Sequence, residues 1–424
     1  MRRMLIAGAL ACGLLAGTAQ AAPPREVVGR VADQIAARYF DEARGARLAA
    51  ELKAEAARGD YDRYTAPLDL AQALTVRLKP VDSHFQVVWS AAPAAKPSAG
   101  AQPSASTAEQ TERRQNYGFR AVEIRPGGLA VVRMSYFADF AGTGAPAKDA
   151  ADAVMTMTAG AEAVIFDLRD NGGGSPAMVG YLVGHFVPEG ANVYNTFRTR
   201  GADDHELPPA PPKTGRRLEQ PVYVVVSGRT ASAAESFGYT LKAARRAVVV
   251  GEPTAGGANP GALAPVGDGF SVFVSDGSPI NPITRSNWEG VGVVPDVRVP
   301  AAEALQKAEQ LALTRVLEGQ GDAAVKAEAR WALEDLGPAA PVKALSDYAG
   351  AYGPRSVVVR DGRLTIVQDR RPPLALKPLA PDTFAVEGAA TPTRVTFERD
   401  AVGRVTGMVQ ALSSGQAARY ARAD

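Results

Sequence analysis

AVIFDLRDNGGG, residues 163–174, is a continuous apolar run that ends at Asp167-Leu168 and passes through a charged turn into three successive glycines. A run without polar alternation reads as a strand covered on both faces. The glycines predict a turn in which exposed backbone N–H groups approach a partner closely, and an apolar helix follows over Met178 to Phe186. PVYVVV, residues 221–226, repeats the pattern, leading through SGRTAS into a helix over Ala233 to Ala243. Arg246 to Val250 adds a strand ending at Gly251, and Phe119 to Met134 a strand pair. Strands alternating with helices in this way predict an α/β core with layered helices, and Ala301 to Leu317 supplies an amphipathic helix that closes it.

Outward from this core, spanning residues 117–318, the composition changes on both sides. Residues 22–90 read as an N-terminal helical subdomain, with Val27, Val31, Ile35 and Tyr39 at helical spacing and a strand-like Phe85-Gln86-Val87-Val88-Trp89 at its end. Residues 91–116, almost entirely Ala, Pro, Ser, Gly and Thr up to Gln110, read as a flexible loop or linker. A helical linker over 319–346 ends in a Pro-rich break. Residues 347–424 then show short strands punctuated by Asp361-Gly362 and Val402-Gly403, the pattern of a small antiparallel β domain.

Residues 1–21 have the form of a secretory signal: Arg2 and Arg3, an apolar run from Leu5 to Leu15, and Ala19-Gln20-Ala21 as an A-x-A cleavage site. The run is too short to span a bilayer, and no later segment is long and apolar enough. The expectation is export to the periplasm or the medium, with no membrane span in the mature chain. Cys12, the only cysteine, lies inside the leader, so the mature chain would form no disulfide; a lipid anchor on Cys12 is the alternative, with Ala9-Leu10-Ala11 a poor lipoprotein box. A composition of 46% hydrophobic and 22% charged residues over 424 positions is that of a globular protein with two or three domains. A net charge of +2 without a basic stripe gives no reason to invoke nucleic acid.

Two turns carry candidate chemistry. The triple-glycine turn lacks the lysine of a P-loop and the spacing of a dinucleotide fingerprint, which leaves a tight structural turn or a cradle of N–H donors. SGRTASAAESF, residues 227–237, places Ser232 where a strand gives way to a helix. There, free N–H groups and the positive dipole end stabilise an oxyanion, although Ser232 also reads as a plain N-cap with Glu235 at the capping-box position. A serine nucleophile needs a base, and the chain has three histidines. His185, flanked by apolar residues, reads as a core or helix-end residue. His205 sits in an acidic, Pro-rich loop, and His84 lies between a turn and a strand. Scattered histidines give no zinc-type spacing and nothing resembles a calcium loop, so neither a metal nor another cofactor is expected. No carboxylate spacing favours glycosidase chemistry.

Taken together, DSHFQV (82–87), DLRDNGGG (167–174), TASAAE (230–235), GEPTAGGA (251–258) and NWEGVGVVPDV (287–297) resemble, in order, the motifs of a serine-peptidase superfamily. It joins C-terminal processing (tail-specific) proteases, the tricorn protease core and the interphotoreceptor retinoid-binding protein. The resemblance covers about Pro24 to Leu317 and implies a crotonase-like ββα core acting on a peptide or protein substrate. It implies Ser232 as nucleophile, with N–H groups of Ala233 and of Gly173 or Gly174 as the oxyanion hole. Gly257 stands where the processing proteases carry their lysine base, and Lys242 is not an evident substitute. The tricorn-like branch uses a histidine preceded by serine and a distant glutamate, which here implies Ser83-His84 and Glu289. Without the resemblance, Glu289 reads as a surface carboxylate and Ser83 as a turn serine. No PDZ insert is recognisable, and the β-rich tail resembles small lipocalin-like domains appended to secreted hydrolases. A non-catalytic binder of apolar ligands or peptides and a small-substrate esterase or amidase are the rival expectations. The oligomeric state is not indicated.

Overall fold

The computed structural model describes residues 22–90, 105–140, 145–201, 205–206, 211–342 and 344–423. The leader and most of the 91–116 segment lie outside the described residues. The chain divides into two compact units, one formed by the N-terminal residues together with Gly261–Asp276, the other by the remainder.

In the first unit three helices, Pro24–Arg38, Glu42–Arg58 and Pro67–Leu78, put Val27, Val31, Ile35, Leu48, Leu52, Leu70, Leu74 and Leu78 into one core. Asp41 caps the second helix by accepting the Arg44 N–H at 2.9 Å, and Gly59, at φ 84°, ends it in the left-handed conformation. The strand Gln86–Trp89 pairs antiparallel with Phe270–Ser275, which pairs in turn with Gly261–Gly267. The strand expected at the end of the N-terminal subdomain is thus present, and its partners come from residues 261–275, within the stretch read as the 117–318 core. Ala264, Val266, Phe270, Val272 and Val274 turn inward beneath the helices, and the hairpin satisfies a strand that would otherwise be alone.

The second unit is built on a six-stranded sheet in the order 297–298, 247–251, 222–226, 163–167, 129–134, 119–125, parallel except for the last pair. Its central strands are buried throughout, and successive residues serve opposite faces. Val164, Phe166, Val222, Val224 and Val226 pack against helices Ala145–Met157, Pro176–Val183 and Ala233–Ala243. Ala163, Ile165, Tyr223 and Val225 pack against Ala301–Glu318, behind which lies Ala323–Asp335. The rings of Phe166 and Phe237 meet at 5.0 Å, seating the 233–243 helix on the sheet. Where residues 91–116 were expected to be loop or linker, Ala105–Arg114 is a helix, its Ala, Gln, Glu and Arg residues being good helix formers.

The C-terminal residues form an eight-stranded antiparallel meander, Gly350–Tyr352 through Ala417–Ala421. A bridge between Tyr352 and Arg422 links its first strand to the chain just past its last and brings the sheet nearly to closure as a barrel. Asp361-Gly362, with φ of 50° and 72°, makes one of its two-residue hairpins. Among the described residues no helix is long and apolar enough to cross a membrane.

His185, fully buried just past the 176–183 helix, places Nδ1 3.0 Å from the Tyr181 carbonyl, while Nε2 has no partner among the described residues. Burial pushes its pKa down to about 4 from 6.5. As pH falls through 6.5 the unfolded chain takes up this proton before the native chain does, so native stability declines until pH reaches about 4. The expected loss is about 3 kcal/mol. Urea unfolding at pH 7, 5.5 and 4 should show that His185→Phe loses less stability across this interval than wild type; equal losses would contradict the assignment.

Candidate active site

Three neighbouring parallel strands, 163–167, 222–226 and 247–251, end on one edge of the sheet, and each runs into one of the motif turns. The first two turns are sewn together. Thr230 Oγ1 donates to the Leu168 carbonyl at 2.8 Å, Ser227 Oγ to the Arg169 carbonyl at 2.6 Å, and Ala231 N–H to the Asn171 carbonyl at 3.1 Å. Buried Asp167 takes two hydrogen bonds from the Arg169 guanidinium at 2.9 and 2.8 Å, and a third Arg169 nitrogen holds the Ala301 carbonyl at 2.8 Å. These charged residues of DLRDNGGG brace the turn from behind.

Ser232 sits at the N-cap of the 233–243 helix with φ 54° and ψ −120°. A non-glycine residue there is strained by roughly 1–3 kcal/mol and persists only where the surroundings enforce it. Glu235, fully buried, does so: its carboxylate accepts the Ser232 N–H at 2.7 Å, Thr254 Oγ1–H at 2.5 Å, Gly256 N–H at 2.7 Å and Gly257 N–H at 2.9 Å. The expected capping-box contact from Glu235 is therefore present, and the same carboxylate also anchors the GEPTAGGA turn. Gly257, at the position of the absent lysine, uses its N–H in this contact. Lys242 is tied to the Val294 carbonyl at 2.5 Å and to Asp296 at 2.9 Å.

The glycine turn lies against the serine. A Cβ on Gly173 would stand 2.7 Å from Ser232 Cβ and 3.0 Å from the Ala231 carbonyl, and one on Gly174 2.1 Å from the Phe137 carbonyl. Both glycines have positive φ, 117° and 134°, so only glycine brings the backbone this close. Gly173 N–H donates to Asn171 Oδ1 at 3.0 Å, whereas the N–H groups of Gly174 and Ala233 have no acceptor among the described residues. The edge thus presents a strained serine with two backbone donors on adjoining turns.

Glu289, half-buried, follows buried Trp288, and its Oε2 accepts the N–H groups of Ala258 and Asn259 at 2.7 and 3.0 Å. It is therefore integrated into the second unit and differs from the loose surface carboxylate that local sequence suggested.

The histidine segment belongs to the first unit. Asp82 and Phe85 are buried, Phe85 in that unit's core and stacking on Tyr39 at 5.2 Å, while Ser83 is exposed in the turn between them. The ring of His84 is half-buried and stacks on Phe273 at 6.0 Å. Asp82 Oδ1 accepts the His84 N–H at 2.9 Å and faces His84 Nδ1 at 3.3 Å. Burial alone would raise the Asp82 pKa, but hydrogen bonds from the His84 ring and N–H outweigh it and hold the carboxyl below its usual range. Asp82 was missed as a site residue in the sequence, where it reads as part of a turn. His205 lies in the short strand His205–Glu206.

Residues 128–299 match the family model for Peptidase family S41. Among solved structures, the photosystem II D1 C-terminal processing protease is 23% identical, covering 41% of this chain and 43% of its own, with a TM-score of 0.32. A protein from Parabacteroides merdae is 19% identical, covering 71% and 98%, with a TM-score of 0.46. A lipoprotein from Streptococcus agalactiae is 16% identical, covering 69% and 98%, with a TM-score of 0.40. The chain spans less than half the length of the processing protease.

Removing the Glu235 carboxylate leaves four donors without their acceptor and frees the strained Ser232. Glu235→Ala should lower stability by about 3–5 kcal/mol and Glu235→Gln by less, measured by denaturant unfolding. A loss below about 1 kcal/mol in the alanine variant would show that the carboxylate does not hold the turns.

Proposed function

We propose, from the premise that residues 128–299 form a peptidase family S41 domain, that this chain is an exported serine peptidase with Ser232 as its nucleophile. The observation that carries the proposal is Ser232 itself, held at φ 54° on a strand-to-helix turn with Gly173 against its Cβ. A serine that only capped the helix would gain nothing from that strain; a nucleophile gains a fixed, outward hydroxyl.

In the proposed reaction Ser232 Oγ attacks the carbonyl carbon of the scissile peptide while its proton passes to His84. The N–H groups of Ala233 and Gly174 receive the oxyanion, Gly174 being favoured over Gly173 because the Gly173 N–H already serves Asn171. The imidazolium then protonates the departing amine, leaving an acyl group on Ser232 that water removes by the same steps in reverse. Glu289 supplies negative charge to stabilise the imidazolium, with Ser83 as a neighbouring hydroxyl. His84 is favoured as base over His185, whose buried ring has its pKa pushed down to about 4. Each oxyanion donor of this kind contributes roughly 100- to 1,000-fold in rate. The leader-like residues 1–21 support delivery to the periplasm or the medium.

Ser232→Ala should still fold, losing no more than about 1–2 kcal/mol for the N-cap hydroxyl, and should lose peptide hydrolysis and labelling by a fluorophosphonate probe. Wild-type protein that folds, resists the probe and cleaves neither peptides nor esters would point to a non-catalytic binder. Ester turnover without peptide turnover would point to an esterase.

A further inference from the structure

We propose that Asp82 is the positioning residue of the base, holding the His84 ring so that Nδ1 carries the proton and Nε2 is left to accept the one from Ser232. This rests on the reading of His84 as that base. The side chain of Asp82 is 1% exposed and that of His84 23%, so the carboxylate is the more deeply buried of the two. Oδ1 is shared between the backbone N–H and Nδ1 of the same residue, at 2.9 and 3.3 Å. A buried carboxylate accepts and never donates in its ionised form, so the nitrogen facing it is the protonated one and the far nitrogen keeps its lone pair. The backbone contact fixes where the ring begins and the side-chain contact fixes its rotation, with Phe273 stacked on its face.

Asp82 is itself fixed. It closes the turn after the 67–78 helix, with its N–H directed at the Leu78 carbonyl and its carbonyl accepting the Phe85 N–H at 3.1 Å. On the first unit's side of this turn, the Arg44 guanidinium is spent on the Val81 carbonyl at 2.8 Å. The strand 270–275 contributes the uncharged Phe273 ring against His84 and the Ser275 hydroxyl, which also helps to hold the Asp82 carboxyl below its usual range. Glu289 has a different task in this division, with Oε2 given to the Ala258 and Asn259 N–H groups. Two carboxylates therefore share the work: Asp82 orients the imidazole and selects its tautomer, and Glu289 adds charge.

The test compares wild type, Asp82→Asn, Asp82→Glu and His84→Gln as full chains, using ring-nitrogen NMR of His84 alongside kcat/KM against pH on a peptide substrate. In wild type the neutral His84 should be the Nδ1–H tautomer. In Asp82→Asn the His84 titration midpoint should fall by about one unit or more, because a stabilising negative charge is lost. The acid limb of the pH profile should move with it, and kcat should fall by at least about 100-fold with KM retained. Asp82→Glu should restore part of both. If His84→Gln abolishes hydrolysis while Asp82→Asn moves neither midpoint nor acid limb, the positioning role is overturned and the base assignment stands. If the Asn variant shifts the ring titration but His84→Gln hydrolyses like wild type, both assignments fall. Should the Asn variant not fold, the wild-type spectrum decides alone: a neutral Nε2–H tautomer overturns the proposal.

Discussion

One buried carboxylate ties the serine turn of the second unit to the turn that follows the strand 247–251. Glu235 binds the serine turn through the Ser232 N–H and the GEPTAGGA turn through Thr254, Gly256 and Gly257. The network continues outward, because Thr254 Oγ1 also accepts the Val293 N–H at 2.6 Å and the Gly256 carbonyl accepts the Gly290 N–H at 2.9 Å. The loop bearing Glu289 is thus tied to the helix bearing Ser232 through a single anionic node. Burying a carboxylate is costly in itself, and only its full set of donors makes the arrangement tenable. A partly satisfied version would be worse than an apolar one, which makes the node all-or-none and gives the turns one geometry.

Rigidity of this kind matters because the glycine turn is positioned by steric exclusion. Gly173 and Gly174 approach Ser232 and Phe137 more closely than any side chain permits, and two hydrogen bonds at 2.8 Å, Phe137 N–H to the Gly173 carbonyl and Ser175 N–H to the Phe137 carbonyl, clamp them there. The parallel sheet beneath, with helices on both faces, carries the opposing load. Donors fixed before a substrate arrives cost no reorganisation when charge develops, which is the physical advantage of building such a site on strand ends.

The parts of this arrangement visible in the sequence are those with a local signature. Unbroken apolar runs at 163–168 and 221–226 announced two-sided burial, and the strand-to-helix junction singled out Ser232. Contacts without a local signature were hidden. The 261–275 hairpin was not singled out in the sequence, and nothing in its local pattern says that it completes the N-terminal unit. Glu235 was legible as a capping-box residue, whereas its three further donors come from residues 254–257, and sequence spacing carries no record of them. Asp82 escaped because an i to i+2 side-chain contact looks like any turn aspartate until the ring beside it is seen. The 105–114 helix was obscured by the low-complexity run in front of it.

The contrast between two histidines shows how environment decides what one side chain can do. His185 is enclosed, with one nitrogen near a backbone carbonyl, the other without a partner among the described residues, and its pKa pushed down to about 4. A ring so placed is a poor proton acceptor at neutral pH and serves packing, its T-shaped contact with Tyr181 at 5.1 Å included. His84 is half-buried, faces a carboxylate at Nδ1 and has an aromatic ring on its face. Any positive charge it acquires is met by an adjacent negative one, whereas at position 185 burial penalises the charged form. The two imidazoles thus differ chiefly in burial: desolvation outweighs the carbonyl beside Nδ1 of His185, whereas the half-buried His84 ring has a carboxylate beside its Nδ1.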